Sequence, residues 1–188
     1  MALAVISPDG VPDIRSMLDQ LQFEQFQHDE TYHREIARLR TQDRLRHLTL
    51  HFAKYSGNLA EAQARGDEAE VQRVVTDVFI IGMSTANVLN FRLGAPLAEA
   101  EAGRTEPVLP FGTLLAVCAG KMAAACEKLD HLEDYPFRPV LREGTIELVQ
   151  AAILFAEARR WDLRLLVQMR LRPVKEKFIH HDRVRKDR

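Results

Sequence analysis

The stretch HLTLHFAKYSGNLAEA, residues 47–62, carries the pattern that decides the predicted fold. Its apolar residues recur at steps of three and four, which is the period of an α-helix that buries one face. Large apolar side chains share one face, and mostly small side chains share a second face that another helix can approach closely. We therefore predict a buried helix of a bundle, with Gly57 at a close helix contact. The first face holds Leu48, Phe52, Tyr55, Leu59 and Ala62, and the second holds Leu50, Ala53, Gly57 and Ala60.

A stripe of polar side chains runs between these two faces. Its members are again three or four residues apart, so they share one side of the helix. Such a stripe, bounded by apolar and small faces, can line a cleft between helices. Alternatively, the stripe lies at the edge of the helix and is exposed to solvent. The pattern does not decide between a cleft and a solvent-exposed edge. The polar stripe consists of His47, His51, Lys54, Asn58 and Glu61.

The next predicted helix carries an acidic residue inside an apolar run. Asp77 lies within the stretch VVTDVFII, residues 74–81. A buried carboxylate is costly unless it is paired, hydrogen-bonded or bound to a metal. Arg73, one turn earlier, is a local partner, and Ser84 and Asn87 follow on roughly the same side. If the two helices pack as an antiparallel pair, their polar sides can face each other.

The length and charge of the chain bound its class. It has 188 residues, of which 46% are apolar, so one domain with a sizeable core is expected. With 26 Lys and Arg against 27 Asp and Glu, the formal net charge is −1, which provides no overall field to attract nucleic acid or a membrane surface. No apolar stretch approaches the ~20 residues that a membrane-spanning helix needs. We expect no membrane partner.

The first residues and the cysteines both favour a cytoplasmic location. The opening MALAVISPDG has no basic segment before its apolar run, so it does not read as a signal peptide. Cys118 and Cys126 lie on one predicted helix, roughly 12 Å apart by helical rise alone, which is too far for a disulfide. We expect buried, reduced thiols.

Helical periodicity and the near absence of strand signals predict an all-α protein, a bundle of about five helices. A segment rich in proline and glycine, residues 94–112, predicts a long loop. The predicted helices cover 13–43, with a weak point at 28–30, and then 44–64, 68–93, 112–133 and 144–171. The corresponding units are an N-terminal extension 1–12, a helical core 13–136, a C-terminal helix 137–172 packed on the core or on a second subunit, and a basic tail 173–188.

Segments of the helical core resemble the MazG-like all-α NTP pyrophosphohydrolase superfamily. KYSGNLAEA at 54–62 and TDVFIIGMSTANVLN at 76–90 are similar to the family's EEVGELAEA and ELADVLIYLLRLAN. EKLDHLEDYP at 127–136 is similar to a later family segment, so the resemblance covers about 45–136. It implies a MazG-like core with an extra C-terminal helix. The matching residues are Gly57, Leu59, Ala60, Glu61 and Ala62 in the first segment, and Asp77, Val78, Ala86 and Asn87 in the second.

Most acidic residues by which this family binds metal are replaced. The family holds Mg²⁺ with Glu-x-x-Glu on one helix and Glu-x-x-Asp on the next, and the ions neutralise phosphates and activate a water. Here the first pair falls on Tyr55 and Asn58, and the second falls on Val74 and Asp77. Asp77 is the one survivor of the four, with Glu61 nearby. The resemblance therefore implies a divergent member whose acidic metal motif is degenerate.

Two functions follow from these residues. The first is a protein that no longer hydrolyses NTPs and acts as a nucleotide-binding or protein-interaction module. The second is an active pyrophosphohydrolase with a relocated site, which would need Mg²⁺ and would use Glu61 and Asp77 as catalytic and metal-binding residues. His47 and His51 have a spacing that also suits a metal, and an interhelical hydrogen bond to Asp77 is their alternative role.

The candidate ligand-binding residues favour an anion without a metal bridge. Lys54 brings positive charge into the polar stripe, and a lysine can contact phosphate directly. Binding should then survive chelation and strengthen below about pH 6.5, where an unperturbed histidine gains charge. The ligand-binding candidates are His47, His51, Lys54, Asn58 and Asn87.

The C-terminal part predicts assembly. The fifth predicted helix, with Trp161, has more apolar surface than one edge helix needs, so it buries against a second subunit or against the first helix of the same chain. We expect a homodimer or a larger homo-oligomer. Arg170 to Arg188 holds eight Lys and Arg against three Asp and Glu, but with Phe178 as its one aromatic we do not expect it to bind nucleic acid. The C-terminal run His180-His181-Asp182 resembles a set of metal ligands, but its position near the end of the sequence makes it a weak candidate for a metal site.

Overall fold

The computed structural model of the chain describes residues 17–102 and 109–186, and the side chains of 17–98 and 109–177. This part of the chain is all-α, as predicted, and contains eight helices and no strand. The prediction of about five helices was too low. The helices are α1 (Leu18–Tyr32), α2 (Arg34–Ala37), α3 (Thr41–Arg65), α4 (Glu68–Val88), α5 (Gly94–Ala102), α6 (Phe111–Asp130), α7 (Phe137–Ala158) and α8 (Leu163–Lys186).

Four long helices form the body of the fold. Helices α3, α4, α7 and α6 form a closed ring in which each packs against the next. Helix α4 also contacts α1 and α8, so it is covered on nearly every side. A helix that is covered on all sides has no face in contact with water, and apolar residues are then expected around its whole circumference. The sequence of α4 shows this pattern. Fully buried residues of α4 include Val74, Val78, Phe79 and Met83.

A two-residue connection makes α3 and α4 an antiparallel pair. Gly66 follows α3 with φ +66°, a left-handed conformation that glycine adopts without steric cost. The Gly66 N–H donates to the Gln63 carbonyl at 3.1 Å and the Asp67 N–H donates to the Ala62 carbonyl at 2.9 Å. The Asp67 side chain then caps α4 by accepting from the Glu70 N–H at 3.0 Å.

Three more helices end with a residue in the left-handed conformation and the same two hydrogen bonds, and in these helices that residue is not glycine. Asn90, Leu132 and Arg160 have φ of 54°, 56° and 58°. Each N–H donates to the carbonyl three residues earlier, and the following N–H donates to the carbonyl five residues earlier. Because Arg160 ends α7 in this way, the single helix predicted over 144–171 is wrong and two helices stand in its place.

Other predicted boundaries also change. The weak point in the first predicted helix is a break at His33, which separates α1 from α2. The predicted loop 94–112 begins with helix α5. Helix α8 continues through Pro173, where the sequence predicted a stop. The N-terminal extension 1–12 lies outside the described residues, as do the side chains of Phe178, His180, His181 and Asp182.

The close helix contact lies at a different glycine from the one predicted. Gly57 is exposed on α3, and an added Cβ there would meet no described atom within 4 Å. Leu50, on the same face, is 63% exposed, so this face of α3 is turned to solvent in the single chain. An added Cβ on Gly82 of α4 would instead overlap a methyl group of Val149 of α7. Helices α4 and α7 therefore approach each other closely at Gly82.

Residues of the C-terminal half pack inside the same chain. Helix α7 is buried against α4 and α6, and half-buried Trp161 lies 5.9 Å from the Phe155 ring, centroid to centroid. Cys118 and Cys126 are free thiols and both are buried, as predicted. Among the described helices, none is long and apolar enough to cross a membrane.

Candidate functional site

The carboxylate of Asp77 is the centre of an ion cluster. Asp77 is 4% exposed on α4. Arg170 of α8 donates from Nε to Oδ1 at 2.7 Å and from Nη2 to Oδ2 at 3.1 Å. Arg73 donates from Nη1 to Oδ2 at 3.0 Å, and the Tyr55 hydroxyl lies near enough to interact with the same carboxylate. A buried carboxylate needs such partners, and here donors meet both of its oxygens.

The neighbours of Asp77 keep this cluster in one arrangement. Glu70 accepts a hydrogen bond from Arg73 Nε at 2.7 Å, which fixes the guanidinium from its other side. Burial, together with the negative charge of Asp77, raises the pKa of Tyr55 to about 12. Tyr55 therefore keeps its proton and can donate it. Both oxygens of Asp77 are thus engaged with protein donors.

Glu61, the second predicted metal ligand, lies in a different environment. Its side chain is 72% exposed on α3 and ion-pairs with Arg65 at 3.6 Å. Asp77, in contrast, is buried, and its ion-pair partners differ from that of Glu61. Within the described ranges, no group of three or more His, Cys, Asp or Glu residues is placed to hold a metal ion. Glu61 and Asp77 therefore do not form a shared carboxylate site for Mg²⁺ among the described residues.

Three members of the polar stripe contact one another in sequence. His47 Nε2 lies 3.1 Å from His51 Nε2, and His51 Nδ1 lies 3.1 Å from Lys54 Nζ. Lys54 also lies over the Tyr55 ring, 4.4 Å from its centroid. Asn58 is half-exposed one turn beyond Lys54. The helical spacing read from the sequence therefore does bring the two histidines and the lysine together.

These two histidines are harder to protonate than the sequence suggested. Burial, Lys54 and His47 lower the pKa of His51 to about 4, against an opposing effect of Asp77. Burial and Lys54 also lower the pKa of His47. Both rings are neutral near pH 7. The increase in anion binding expected below about pH 6.5 is therefore displaced toward more acidic pH.

Asn87 has a structural role between α1 and α4. Its Nδ2 donates to the Gln22 carbonyl at 3.1 Å, and its Oδ1 accepts from Gln22 Nε2 at 3.0 Å. Gln22 in turn donates to the Phe91 carbonyl at 2.8 Å and accepts from the Leu93 N–H at 3.0 Å. The Asn87 amide is thus engaged with the protein rather than presented to a ligand.

A cavity of about 140 Å³ lies beside His47 and His51. Its wall is closed by α1, by the segment around α2, by α4 and by Leu171 of α8. His33 also lines it and leaves 45% of its side chain exposed, so the cavity reaches solvent there. Two members of the polar stripe, His47 and His51, therefore line a cavity between helices, and the other three do not. Further polar residues of the wall are Gln25, His28, Asp29, Arg44 and Ser84.

Part of the polar wall of this cavity comes from α1, and sequence reasoning missed it. Asp29 Oδ2 accepts from Ser84 Oγ at 2.6 Å, which links α1 to α4. Asp29 Oδ1 accepts from Gln25 Nε2 at 2.8 Å. The available signal was the run His28-Asp29-Glu30, which interrupts the apolar face of the first helix at the depth where the cavity lies.

The fold and the site define the chain as an all-α protein with a central, ion-paired helix and a small histidine-lined cavity. Comparison with protein-family models, with curated proteins and with solved structures finds no match.

Proposed function

We propose that this chain is a divergent MazG-like helical protein that lacks metal-dependent NTP hydrolysis and binds a nucleotide phosphate without a metal bridge. The observation that carries the proposal is the double arginine pairing of Asp77. Asp77 is the carboxylate that the resemblance assigns to metal binding. Arg73 and Arg170 supply the positive charge that Mg²⁺ would supply.

Loss of the metal mechanism follows from ligand number. Mg²⁺ prefers six oxygen ligands and usually takes one or two carboxylates plus phosphates and waters. Freeing Asp77 for that role would break its ion pairs with both arginines and would place the metal ion beside their positive charges, which is unfavourable. The relocated hydrolase site, with Glu61 and Asp77, has no geometric support because Glu61 points to solvent beside Arg65.

A phosphate would bind at the exposed edge of the polar stripe. Lys54 offers a cation that no acidic residue pairs with among the described residues, and half-exposed Asn58 offers an amide donor one turn away. Because the Lys54 ammonium can only donate, His51 Nδ1 accepts from it and His51 Nε2–H donates to His47 Nε2. The N–H that remains for a ligand is therefore Nδ1–H of His47. Because this edge is wet, binding should weaken as salt is added.

Two assays test the proposal. Mg²⁺-dependent release of pyrophosphate from common NTPs and dNTPs should stay near background, and calorimetry should detect nucleotide binding that persists in EDTA. Lys54→Ala should weaken that binding about tenfold or more, whereas Lys121→Ala, on an exposed turn of α6, should leave it unchanged.

Two results would contradict it. Robust turnover that disappears in Asp77→Ala or Glu61→Ala would establish an active hydrolase. Absence of nucleotide binding under every condition would leave a protein-interaction module as the function.

We also propose that the chain forms a homodimer or a larger homo-oligomer. Support comes from the resemblance and not from α7, whose apolar residues are buried within one chain. Light scattering at micromolar concentration should exceed the 21.5 kDa of one chain, and a monomer mass would remove this proposal. A cytoplasmic location remains a prediction.

A further inference from the structure

The buried polar atoms without a hydrogen-bond partner all lie around one cavity. Among the described residues they are Gln25 Oε1, His28 Nδ1, His28 Nε2 and Arg44 Nε. The three residues that carry them all line the 140 Å³ cavity beside His47 and His51. Buried polar groups without a partner are rare in native proteins, because each costs the free energy of its lost hydration. Four of them at one cavity indicate that something polar fills it.

The two residues from α1 are held deep in the protein. Gln25 and His28 are each 3% exposed. Gln25 Nε2 donates a hydrogen bond to Asp29. Gln25 Oε1 has no partner, and this atom can only accept a hydrogen bond. His28 Nδ1 lies 3.9 Å from the nearer oxygen of Asp29, which is beyond hydrogen-bond distance. The His28 ring is held by Tyr32, with ring centroids 4.9 Å apart.

The chemistry of these atoms selects the kind of ligand. Gln25 Oε1 requires a donor and Arg44 Nε requires an acceptor, while the nitrogens of an imidazole ring such as His28 can pair with either kind of group. An anion offers acceptors alone and would face the carboxylate of Asp29 in the same wall. A metal ion would face Arg44, and the described residues hold no suitable ligand group. A neutral molecule with both donors and acceptors satisfies all four atoms.

The remaining wall sets the size and body of the ligand. Most of the surface between the polar groups is apolar, contributed by Ile36, Leu48, Ile80, Ile81, Val88 and Leu171. An apolar cavity of about 150 Å³ accepts a molecule the size of benzene. The space therefore fits a single ring and is too small for a whole nucleotide.

We propose that this cavity is a binding site for a neutral, single-ring heterocycle that carries both hydrogen-bond donors and acceptors. Gln25, His28 and Arg44 contact its polar edge, and the aliphatic side chains of α4 and α8 contact its faces. The half-exposed His33 marks the entrance. The site is separate from the phosphate-binding edge at Lys54, which does not line the cavity. The ring can arrive as a free molecule or as the base of a nucleotide.

The test compares ligands of equal size and different polarity. Titrations with uracil and with 2-pyridone, followed by calorimetry and by the ¹⁵N shifts of the histidine rings, should show binding that moves the His28 resonances. Benzene, which has the shape without the polar edge, should bind at least tenfold more weakly. Inorganic phosphate should leave the His28 resonances unchanged.

Two variants separate binding from folding. His28→Phe keeps a ring of similar size and removes both nitrogens, so it should abolish uracil binding while the thermal midpoint stays at or above that of the wild type. Ala37→Leu adds volume at a half-exposed position of the cavity wall, so it should block binding without loss of fold. Uridine and uridine monophosphate in parallel identify the source of the ring.

The outcomes distinguish this inference from the proposed function. If uridine monophosphate binds and uracil does not, the affinity comes from the phosphate alone. That result would overturn the heterocycle site and would support the phosphate site. Equal binding of benzene and uracil would overturn the polar role of His28. Failure of every ring probe, with ordered water alone in a crystal structure of the cavity, would likewise overturn it.

Discussion

Arg170 of α8 donates hydrogen bonds to both carboxylate oxygens of Asp77 of α4, at 2.7 and 3.1 Å, across 93 residues of sequence. Asp77 lies on α4, the member of the four-helix ring that also contacts α1 and α8, and α8 packs outside that ring. The pair therefore joins the last helix to the interior. It also removes Asp77 from the set of carboxylates open to a metal.

Breaking this pair should destabilise the fold. Arg170→Met keeps most of the aliphatic packing and leaves buried Asp77 with Arg73 and Tyr55, so the free energy of unfolding should fall by about 1–3 kcal/mol. Arg172→Met is the matched control because its ion pair with Glu176 is exposed, and its effect should stay below about 0.5 kcal/mol. Urea unfolding of the two variants decides it, and equal stabilities would mean that the Asp77 pair adds nothing.

Two glycines should respond in opposite directions to alanine. Gly82→Ala places a methyl group against Val149 and should cost about 1–3 kcal/mol through overpacking of α4 and α7. Gly57→Ala meets open space on an exposed helix and should add about 0.5–1 kcal/mol through helix propensity. Chemical unfolding measures both. A stabilising Gly82→Ala would show that α4 and α7 are looser than this structure has them.

The left-handed helix ends should be improved by glycine. Leu132 has φ 56° and is 88% exposed, so Leu132→Gly relieves backbone strain and loses little packing. We expect a gain of about 0.5–1 kcal/mol, reduced by the entropy of glycine in the unfolded chain. Gly66→Ala should lose about 1 kcal/mol at the matching position of α3. Thermal unfolding in which both variants are neutral would argue against strain at these ends.

Acid should weaken the protein partly through His51. The pKa of His51 is lowered to about 4 by burial, then by Lys54 and His47, while Asp77 raises it and His33 lowers it further. Between about pH 6.5 and pH 4 the unfolded chain binds a proton at this ring and the folded chain does not, so stability falls as pH falls through that range.

A neutral side chain at the same position isolates this effect. His51→Gln should flatten the fall by about 1 kcal/mol, which is less than the full shift implies because the ring is only half-buried. Other titrating groups are common to both proteins, so the difference between their stability curves reports His51. Parallel curves would exclude this contribution.

The sequence predicts the helices well where their ends carry a chemical signal. Gly66 and Asp67 mark the turn between α3 and α4, and apolar periodicity predicts both partners of the pair. Arg160 and Leu132 give no such signal, because neither residue favours the left-handed conformation that it adopts. The predicted helix over 144–171 therefore ran across a turn that tertiary packing imposes on unfavourable residues.

The candidate site was predictable within one helix and not between helices. His47, His51 and Lys54 meet because helical spacing alone brings them together. The cavity wall depends instead on α1 lying against α4, and the partner of Asp77 comes from α8. Neither packing contact has a period or motif that a single sequence displays, which is why His28 and Arg170 escaped the prediction.

The two arginines on Asp77 differ in when they reach it during synthesis. Arg73 precedes Asp77 by one helical turn and emerges with it, so the carboxylate has a cation at hand as soon as α4 forms. Arg170 follows 93 residues later, when α6 and α7 have already been made. A nascent chain that has collapsed around α4 can thus pair its acidic residue with a neighbour, and the second arginine is added when α8 is made.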